Sequence, residues 1–321
     1  MATWDAWPVD DLDALLLGEP ATLTRADVEA AAGVLPELTL DVWSAMGFAE
    51  IPYGVPAFTQ HDVDALRTAA SLLDLGVIDT DSLLVMARAM GQGMARLAEA
   101  HVDVLRGLSG DLGIDEVIET ISSMADDVLP RLDQLMVFVW RRQFAAAVQR
   151  SLAAAREDGM PVLAIGFLDL VGFTRSSRGW DAGQLERTLE RFERDTSLRV
   201  AAVGGRVVKT LGDGVLFTAD TARAAVQVAL DTAAAHDGDE ELPPIRAGIA
   251  LGPVLVRLGD VFGEPVNLAS RLSEEARPGS VVVDRHAAEA LADAYDVFQL
   301  HRRSVRGYRS LSPFVVRAKR D

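Results

Sequence analysis

The chain has 321 residues, enough for about two domains of ordinary size, and its 49% hydrophobic and 25% charged residues are typical of a folded globular protein. It contains no cysteine, which excludes disulfides, thiolate catalysis and cysteine-ligated metals, so a metal site should be built from carboxylates and hold a hard ion such as Mg2+ or Mn2+. The net charge is −17, and residues 1–150 carry −15 of it, which argues against nucleic-acid binding by that half.

No apolar run reaches the roughly 18 residues that a membrane-spanning helix needs. The first residues, MATWDAWPVDDLD, are acidic, whereas a secretory signal peptide begins with positive charge. The sequence therefore predicts a cytosolic protein without a membrane span.

Residues 1–128 are predicted to form helices joined by short connections. Thr24 is followed three residues later by Asp27, and Thr59 by Asp62, which is the spacing of a capping box at a helix N-terminus. We expect this region to be an all-α domain with a regulatory role.

One piece of this region, residues 38–67, resembles the helix-turn-helix of small winged-helix or MerR-like modules. A recognition helix would carry Arg and Lys at its N-terminal end, but this segment offers Asp41 and Glu50. A packing role is therefore favoured, and a transcription regulator is the alternative that a salt-dependent DNA-binding test would decide.

A long helix is predicted to link two domains over residues 129–159. The apolar positions at helical spacing are Leu132, Leu135, Met136, Val139, Phe144, Val148 and Leu152. The helix is expected to begin at Pro130 and to end before the Asp158-Gly159 pair. Since no flexible Gly/Ser tract interrupts it, such a helix can transmit rigid-body motion.

After Gly159 the periodicity becomes that of strands. Residues 160–170, MPVLAIGFLDL, are nearly all apolar, as expected for a central strand buried on both faces. Leu-Gly-Asp-Gly at 211–214 predicts a hairpin, because Asp-Gly tolerates the positive φ of a primed turn. The order strand, helix, hairpin, helix, strand predicts an α+β fold over residues 160–321, with a ferredoxin-like βαββαβ sheet and helices on one face.

Two acidic residues are the first candidates for a functional site. Asp169 ends the apolar strand, and the N–H groups of residues 171–174, which include Gly172 and Thr174, are placed to bind phosphate oxygens. Asp213 lies in the hairpin turn. Ordinary structure also explains each acid alone, as a helix cap and as a turn residue, but two facing acids repel unless a cation lies between them.

Motifs spaced over residues 160–319 resemble the catalytic domain of the class III nucleotidyl cyclases, the adenylyl and guanylyl cyclases. The matching residues are Phe167, Asp169, Gly172, Phe173, Thr174, Lys209, Asp213, Asp260, Asn267 and Arg271. The helical first half resembles the N-terminal regulatory domains of soluble actinobacterial cyclases.

The resemblance implies a two-metal site. Asp169 and Asp213 would bind two divalent cations, Mg2+ or Mn2+, that activate the ribose 3′-hydroxyl and hold the triphosphate. The turn formed by Gly172, Phe173 and Thr174 would contact the substrate.

The resemblance also implies that Lys209 and Asp260 read the base. Adenine offers an acceptor at N1 and donors at N6, so an ammonium paired with a carboxylate fits its edge, whereas guanine reverses these positions. Apart from Lys319, every other basic residue except histidine is arginine, which makes the ammonium of Lys209 distinctive. A solvated strand lysine is the alternative.

Asn267 and Arg271 would complete the catalytic set from one face of a helix. Asn267 would orient the ribose, and Arg271 would stabilise the charge that develops on the α-phosphate; alone, either is an ordinary helix-surface residue. Arg306 and Arg309 lie where the family often has a basic contact to the triphosphate.

In this family the two metal acids come from one chain and the remaining set comes from the other. A chain that carries both sets therefore implies a homodimer with two equivalent sites. The function predicted is a cytosolic adenylate cyclase that converts ATP to 3′,5′-cyclic AMP and pyrophosphate under N-terminal regulation. The alternative is a signalling module that binds nucleotide without turnover, and only an assay separates the two.

Overall fold

A computed structural model describes residues 14–109, 114–154, 159–173, 177–301, 303–305 and 308–319. The chain divides into two compact units, Met1–Ala146 and Ala147–Asp321. Within the part of the chain that is described, no helix has the length and apolarity that crossing a membrane requires.

Helices pack around a small apolar core in the first unit. They are α1 (Arg25–Ala32), α2 (Pro36–Ala45), α3 (Gln60–Asp74) and α4 (Thr80–Ser109), and a further helix, α5 (Ile114–Ala154), follows them in the chain. The predicted capping boxes are confirmed: Asp27 accepts a hydrogen bond from the amide of Thr24 at 2.9 Å, and Asp62 accepts one from the amide of Thr59 at 2.7 Å.

The segment that resembles a helix-turn-helix lies within this core. The buried residues of the cluster are Val28, Val42, Phe58, Val63, Leu66 and Leu83, and four of these six lie in residues 38–67. Their burial agrees with the packing role that the acidic residues of the segment favour.

The helix expected to begin at Pro130 is the continuation of α5, which begins at Ile114 and contains Pro130 in its interior. Proline removes one backbone hydrogen bond without ending this helix. Many of the apolar residues on α5 are exposed, among them Leu135, Val139, Phe144, Val148 and Leu152.

The second unit is built on a seven-stranded sheet. The described strands of the unit, seven of which form this sheet, are β1 (Val162–Leu170), β2 (Arg206–Leu211), β3 (Gly214–Ala219), β4 (Ile245–Pro253), β5 (Leu255–Arg257), β6 (Asp260–Phe262), β7 (Val281–Val283), β8 (Tyr295–Gln299), β9 (Arg303–Val305), β10 (Tyr308–Leu311) and β11 (Phe314–Ala318). The sheet order is β2-β3-β1-β4-β7-β11-β8, while β5–β6 and β9–β10 are separate hairpins. The first four strands are antiparallel in the order β4-β1-β3-β2, which confirms the ferredoxin-like βαββαβ arrangement.

The two helices of the βαββαβ unit lie on one face of this sheet, as the sequence predicts, and a later helix covers the other face. The helices are α6 (Ala182–Ala202), α7 (Ala222–His236), α8 (Glu264–Glu275) and α9 (Arg285–Leu291). Apolar residues of α6, α7 and α9 pack in one core cluster, whereas α8 packs in a second cluster with Ile165 and Leu216. Because β1 is apolar at successive positions, both of its faces need a covering layer.

Glycine allows α8 to lie directly on β4. A Cβ atom added at Gly248 would be 2.1 Å from the carbonyl oxygen of Ala269 and 2.2 Å from the amide nitrogen of Ser273. Since no side chain fits in that space, the backbone of the helix rests against the backbone of the strand.

Candidate active site

Two carboxylates meet at one end of the sheet. Asp169, near the end of β1, lies opposite Gly214 in the β1–β3 ladder. Asp213 immediately precedes Gly214, and its carbonyl oxygen accepts a hydrogen bond from the amide of Leu170 at 3.0 Å. The register of the ladder therefore brings Asp169 and Asp213 together.

The turn that carries Asp213 has its positive φ at a different residue from the one expected. The hairpin is confirmed, with Leu211 paired to Gly214. The left-handed residue, however, is Gly212 with φ 67°, the first of the two turn residues, and not a residue of the Asp213-Gly214 pair. A glycine at the first central position satisfies a primed turn and leaves Asp213 in ordinary backbone geometry.

A guanidinium group holds one oxygen of Asp169. Arg246 lies opposite Asp169 in the β1–β4 ladder, and its Nε and Nη2 are 2.6 and 2.5 Å from Oδ2 of Asp169. Its Nη1 donates to the carbonyl oxygen of Glu274, the penultimate residue of α8, at 3.2 Å. The other oxygen, Oδ1, lies towards the hairpin, 3.7 Å from where a Cβ on Gly214 would be.

The environment of Asp169 disfavours its charge. Burial raises the pKa of Asp169; the hydrogen bond and charge of Arg246 oppose this, and the negative charges of Asp213 and Glu274 raise the pKa further. The net direction is upward, so Arg246 does not compensate fully for burial and the two acids.

A divalent cation would remove this repulsion, and carboxylate oxygens are the donors that hard cations prefer. Among the described residues, no group of three or more acidic or histidine side chains is arranged to hold a metal ion. The carboxylate oxygens of Asp169 and Asp213 are of the type that such a cation binds.

The residues with a predicted base-reading role contact each other. Nζ of Lys209 on β2 lies 2.6 Å from Oδ2 of Asp260, the first residue of β6. Oδ1 of Asp260 accepts a hydrogen bond from the amide of Val261 at 2.8 Å. These two hydrogen bonds fix the geometry of the pair. The side chains of Lys209 and Asp260 are 38% and 30% exposed, so the pair is accessible to a ligand.

The charge of Asp260 is favoured by its surroundings. Burial alone would raise the pKa of Asp260, but hydrogen bonds from Lys209 and Val261, with the positive charges of Lys209 and Arg206, lower it below its ordinary value. Asp260 is therefore an ionised acceptor over the whole neutral range.

One face of α8 carries Asn267 and Arg271, which are four residues apart in the helix. Asn267 is exposed, whereas Nη1 of Arg271 contacts both carboxylate oxygens of Glu274 at 2.7 and 2.8 Å. Pro265 is buried at the start of the helix, which follows Gly263 at φ 142°.

The loop after Asp169 is described only in part. Gly172 has φ 72°, and the ring of Phe173 packs edge-on against Trp180 with 5.6 Å between ring centroids. Thr174 and Arg306, the other expected substrate contacts of the loop and tail, lie outside the described residues.

Sequence reasoning missed Arg246 and Glu274. The signal for Arg246 is present in β4, where it is the only charged residue of IRAGIALGP. An arginine within a buried strand needs an acidic partner, and the β1–β4 register supplies Asp169. The involvement of Glu274 depends on the position of α8 against the sheet, which the sequence does not indicate.

Comparison with known proteins identifies the family of the second half of the chain. The sequence profile of the adenylate and guanylate cyclase catalytic domain matches residues 157–318, about half of the chain. The chain belongs to this family of cyclases.

Similarity to individual relatives extends beyond the matched domain. An adenylate cyclase of Streptomyces coelicolor is 42% identical over 290 residues, covering 89% of this chain and 76% of that protein. One of Streptomyces griseus is 40% identical over 294 residues, covering 88% and 73%. Among solved structures, the catalytic core of a rhodopsin-guanylyl cyclase with converted specificity, in complex with ATPalphaS, is 24% identical, with a TM-score of 0.48 and coverage of 50% of this chain and 97% of that one.

Proposed function

We infer that the protein is an adenylate cyclase that converts ATP to 3′,5′-cyclic AMP and pyrophosphate. The observation that carries this inference is the Lys209–Asp260 contact at 2.6 Å. The ammonium donates to N1 of adenine and the carboxylate accepts from the N6 amino group, whereas guanine would place donor against donor and acceptor against acceptor. The Streptomyces relatives are named adenylate cyclases, which supports the same substrate.

Asp169 and Asp213 would hold the divalent cations, two Mg2+ or Mn2+ ions per site. When bound, such cations lower the pKa of the ribose 3′-hydroxyl and neutralise the triphosphate. Arg246 fixes the orientation of Asp169 through Oδ2, which leaves Oδ1 directed towards the hairpin.

The reaction is an internal displacement at phosphorus. The 3′-oxygen gives its proton to water and bonds to the α-phosphorus, while the bond from that phosphorus to the bridging oxygen of the β-phosphate breaks and pyrophosphate leaves. Asn267 would orient the ribose. Arg271 would exchange the carboxylate of Glu274 for the α-phosphate as negative charge develops there.

We propose that each site combines two copies of the chain. The metal carboxylates would come from one protomer, and Lys209, Asp260, Asn267 and Arg271 from its partner. A twofold dimer would then contain two equivalent sites, and a monomer would be inactive.

The test of the activity is a cyclic-nucleotide assay on the full chain with Mn2+ or Mg2+, comparing ATP with GTP. We expect cyclic AMP from the wild type and almost none from Asp213→Ala. Product from GTP but not from ATP would overturn the specificity, and nucleotide binding without product would indicate a signalling module instead.

Mixing two inactive variants tests the shared site. Co-expression of Asp213→Ala with Arg271→Ala should restore up to about a quarter of wild-type turnover, because half of the dimers are mixed and each has one intact site. Absence of recovery, with dimers present by light scattering, would contradict the shared site.

Regulation by the first half of the chain is a separate proposal. We propose that residues 1–128 form a regulatory domain, residues 129–159 a linking helix and residues 160–321 the catalytic domain. Removal of residues 1–128 is expected to change turnover per site, and unchanged turnover in a folded, dimeric fragment would contradict it.

A further inference from the structure

Asp260 follows a turn whose backbone is strained. Arg257 pairs with Asp260 across the β5–β6 hairpin, so Leu258 and Gly259 form its two-residue turn. Their φ angles are 52° and 79°, the left-handed values of a type I′ turn. Leucine is disfavoured there because its Cβ crowds the backbone, and Leu258 is 59% exposed, so burial does not compensate.

Arg206 holds this turn from outside the hairpin. Its Nη1 donates to the carbonyl oxygen of Gly259 at 2.6 Å, one residue before Asp260. The guanidinium is half-buried: burial lowers the pKa of Arg206, the like charge of Arg150 lowers it further, and Asp260 raises it. The charge of Arg206 therefore also acts on Asp260 directly.

A β-bulge allows Arg206 and Lys209 to serve the same hairpin. In the β2–β3 ladder, Arg206 pairs with Thr218 and Lys209 with Leu216, so two residues separate the pairs on β2 and one residue on β3. Residues three apart on a regular strand point to opposite faces, but the extra residue of a bulge restores them to one face. Both cations consequently reach β5–β6, Lys209 at Asp260 and Arg206 at Gly259.

We propose that Arg206 is a positioning residue for base recognition. It holds the Leu258-Gly259 turn, and through the turn it holds Asp260, in the orientation in which Asp260 and Lys209 read the purine edge. This inference rests on the proposed function of that pair. The proposal gives a role to Arg206, a residue that none of the sequence motifs includes.

The test compares ATP with GTP on the full-length protein, using the ratio of their kcat/KM values. For Arg206→Met we expect the ratio to fall about tenfold, mainly through a higher KM for ATP, because a charge-assisted hydrogen bond that organises ground-state recognition is lost. Adding Leu258→Asn should restore at least half of this loss on a logarithmic scale, because Asn-Gly is the preferred pair for a type I′ turn.

The matched control is Arg191→Met. Arg191 is also a part-exposed arginine of the second unit, with Nη2 2.6 Å from Asp239 and Nη1 3.1 Å from Glu241. Its replacement removes comparable contacts, so it should lower thermal stability and leave the ratio unchanged. An unchanged ratio in Arg206→Met, whether or not both activities fall, or a loss of selectivity that Leu258→Asn does not restore, would each overturn the proposal.

Failure of the proposed function gives a different result. If the wild type forms no cyclic nucleotide, the adenylate cyclase assignment fails, and competition of ATP and GTP against a fluorescent ATP analogue still reports the effect of Arg206 on base selectivity. If the wild type cyclises ATP but Arg206→Met keeps the wild-type ratio, only the role of Arg206 fails.

Discussion

In the metal half of the candidate site, Asp169 and Asp213 carry like charges, and burial with the neighbouring acids raises the pKa of Asp169. In the base half, Lys209 and Asp260 carry opposite charges 2.6 Å apart, and the pKa of Asp260 is lowered. The metal half therefore has excess negative charge that a cation would neutralise, whereas the base half is neutral and formed in advance. The difference shows that two pairs of side chains in one domain have opposite electrostatics, one with uncompensated negative charge and one already neutralised.

The largest expected effect comes from breaking the metal half. Asp213→Asn should lower turnover about 1,000-fold, because the proposed cation that stabilises transition-state charge loses one of its carboxylate ligands. The melting temperature without metal should stay the same or rise slightly, since repulsion of Asp169 is relieved, while stabilisation by Mn2+ disappears. Cyclic AMP assays and thermal melts with Mn2+ or EDTA measure both. Asp220→Asn, at an exposed residue just after β3, is the control and should match the wild type in both.

The second prediction concerns Arg271, whose guanidinium is paired with Glu274 and is proposed to stabilise the transition state. Arg271→Ala should lower kcat about 100-fold with little change in KM, because its interaction strengthens only as charge develops on phosphorus. Steady-state kinetics measure the two constants. A rise in KM with kcat unchanged would place Arg271 with ground-state binding instead.

Breaking the base half should change selectivity more than turnover. Lys209→Met is expected to lower the ATP-to-GTP ratio of kcat/KM about 30-fold, because the adenine N1 acceptor and Asp260 both lose a charged donor. Asp260→Ala should cost nearly as much, and the double variant little more than either, since the two side chains act as one unit. Additive losses in this cycle would show that each reads the base alone.

The smallest expected effect is on stability: in the metal-free protein, the contributions of Asp169 and Asp260 to the free energy of unfolding should change in opposite directions as the pH falls. The folded-state pKa of Asp169 is raised, so its contribution to the free energy of unfolding grows as the pH falls from neutral towards the ordinary Asp pKa of about 3.9. The folded-state pKa of Asp260 is lowered, so its contribution is complete above that value and is lost as the pH falls through the folded-state pKa. Urea unfolding in EDTA should show the wild type gaining stability relative to Asp169→Asn and losing it relative to Asp260→Asn. Slopes of the same sign would contradict the contrast.

Sequence patterns predicted the elements that carry these residues because local signals specify them. The apolar run of β1, the capping residues Thr24 and Thr59, and the turn at Gly212 and Asp213 depend on near neighbours in the chain. The pairing of Asp169 with Arg246 depends instead on a ladder between residues 77 positions apart. Register of that kind is set by packing of the whole sheet, so the charged residue in β4 was visible but its partner was not.

Dependence on long-range packing also explains why part of the base half was not predicted from the sequence. Lys209 and Asp260 were identified by resemblance, but the bulge that brings Arg206 to their side of the sheet has no marker in GGRVVKTLG. The helices of the βαββαβ unit, α6 and α7, lie on one face as predicted, but the sequence of α8 does not show that it packs on the opposite face of the sheet.

The glycine contact between β4 and α8 has a mechanical consequence. With the carbonyl oxygen of Ala269 and the amide of Ser273 against Gly248, the helix and the strand are in direct backbone contact, which favours their movement as one unit. Asn267 and Arg271 consequently travel with the sheet as a single body. In the proposed dimer, we therefore expect a regulator to change the reaction rate by moving one whole catalytic domain relative to the other, with the helix and the sheet rotating together.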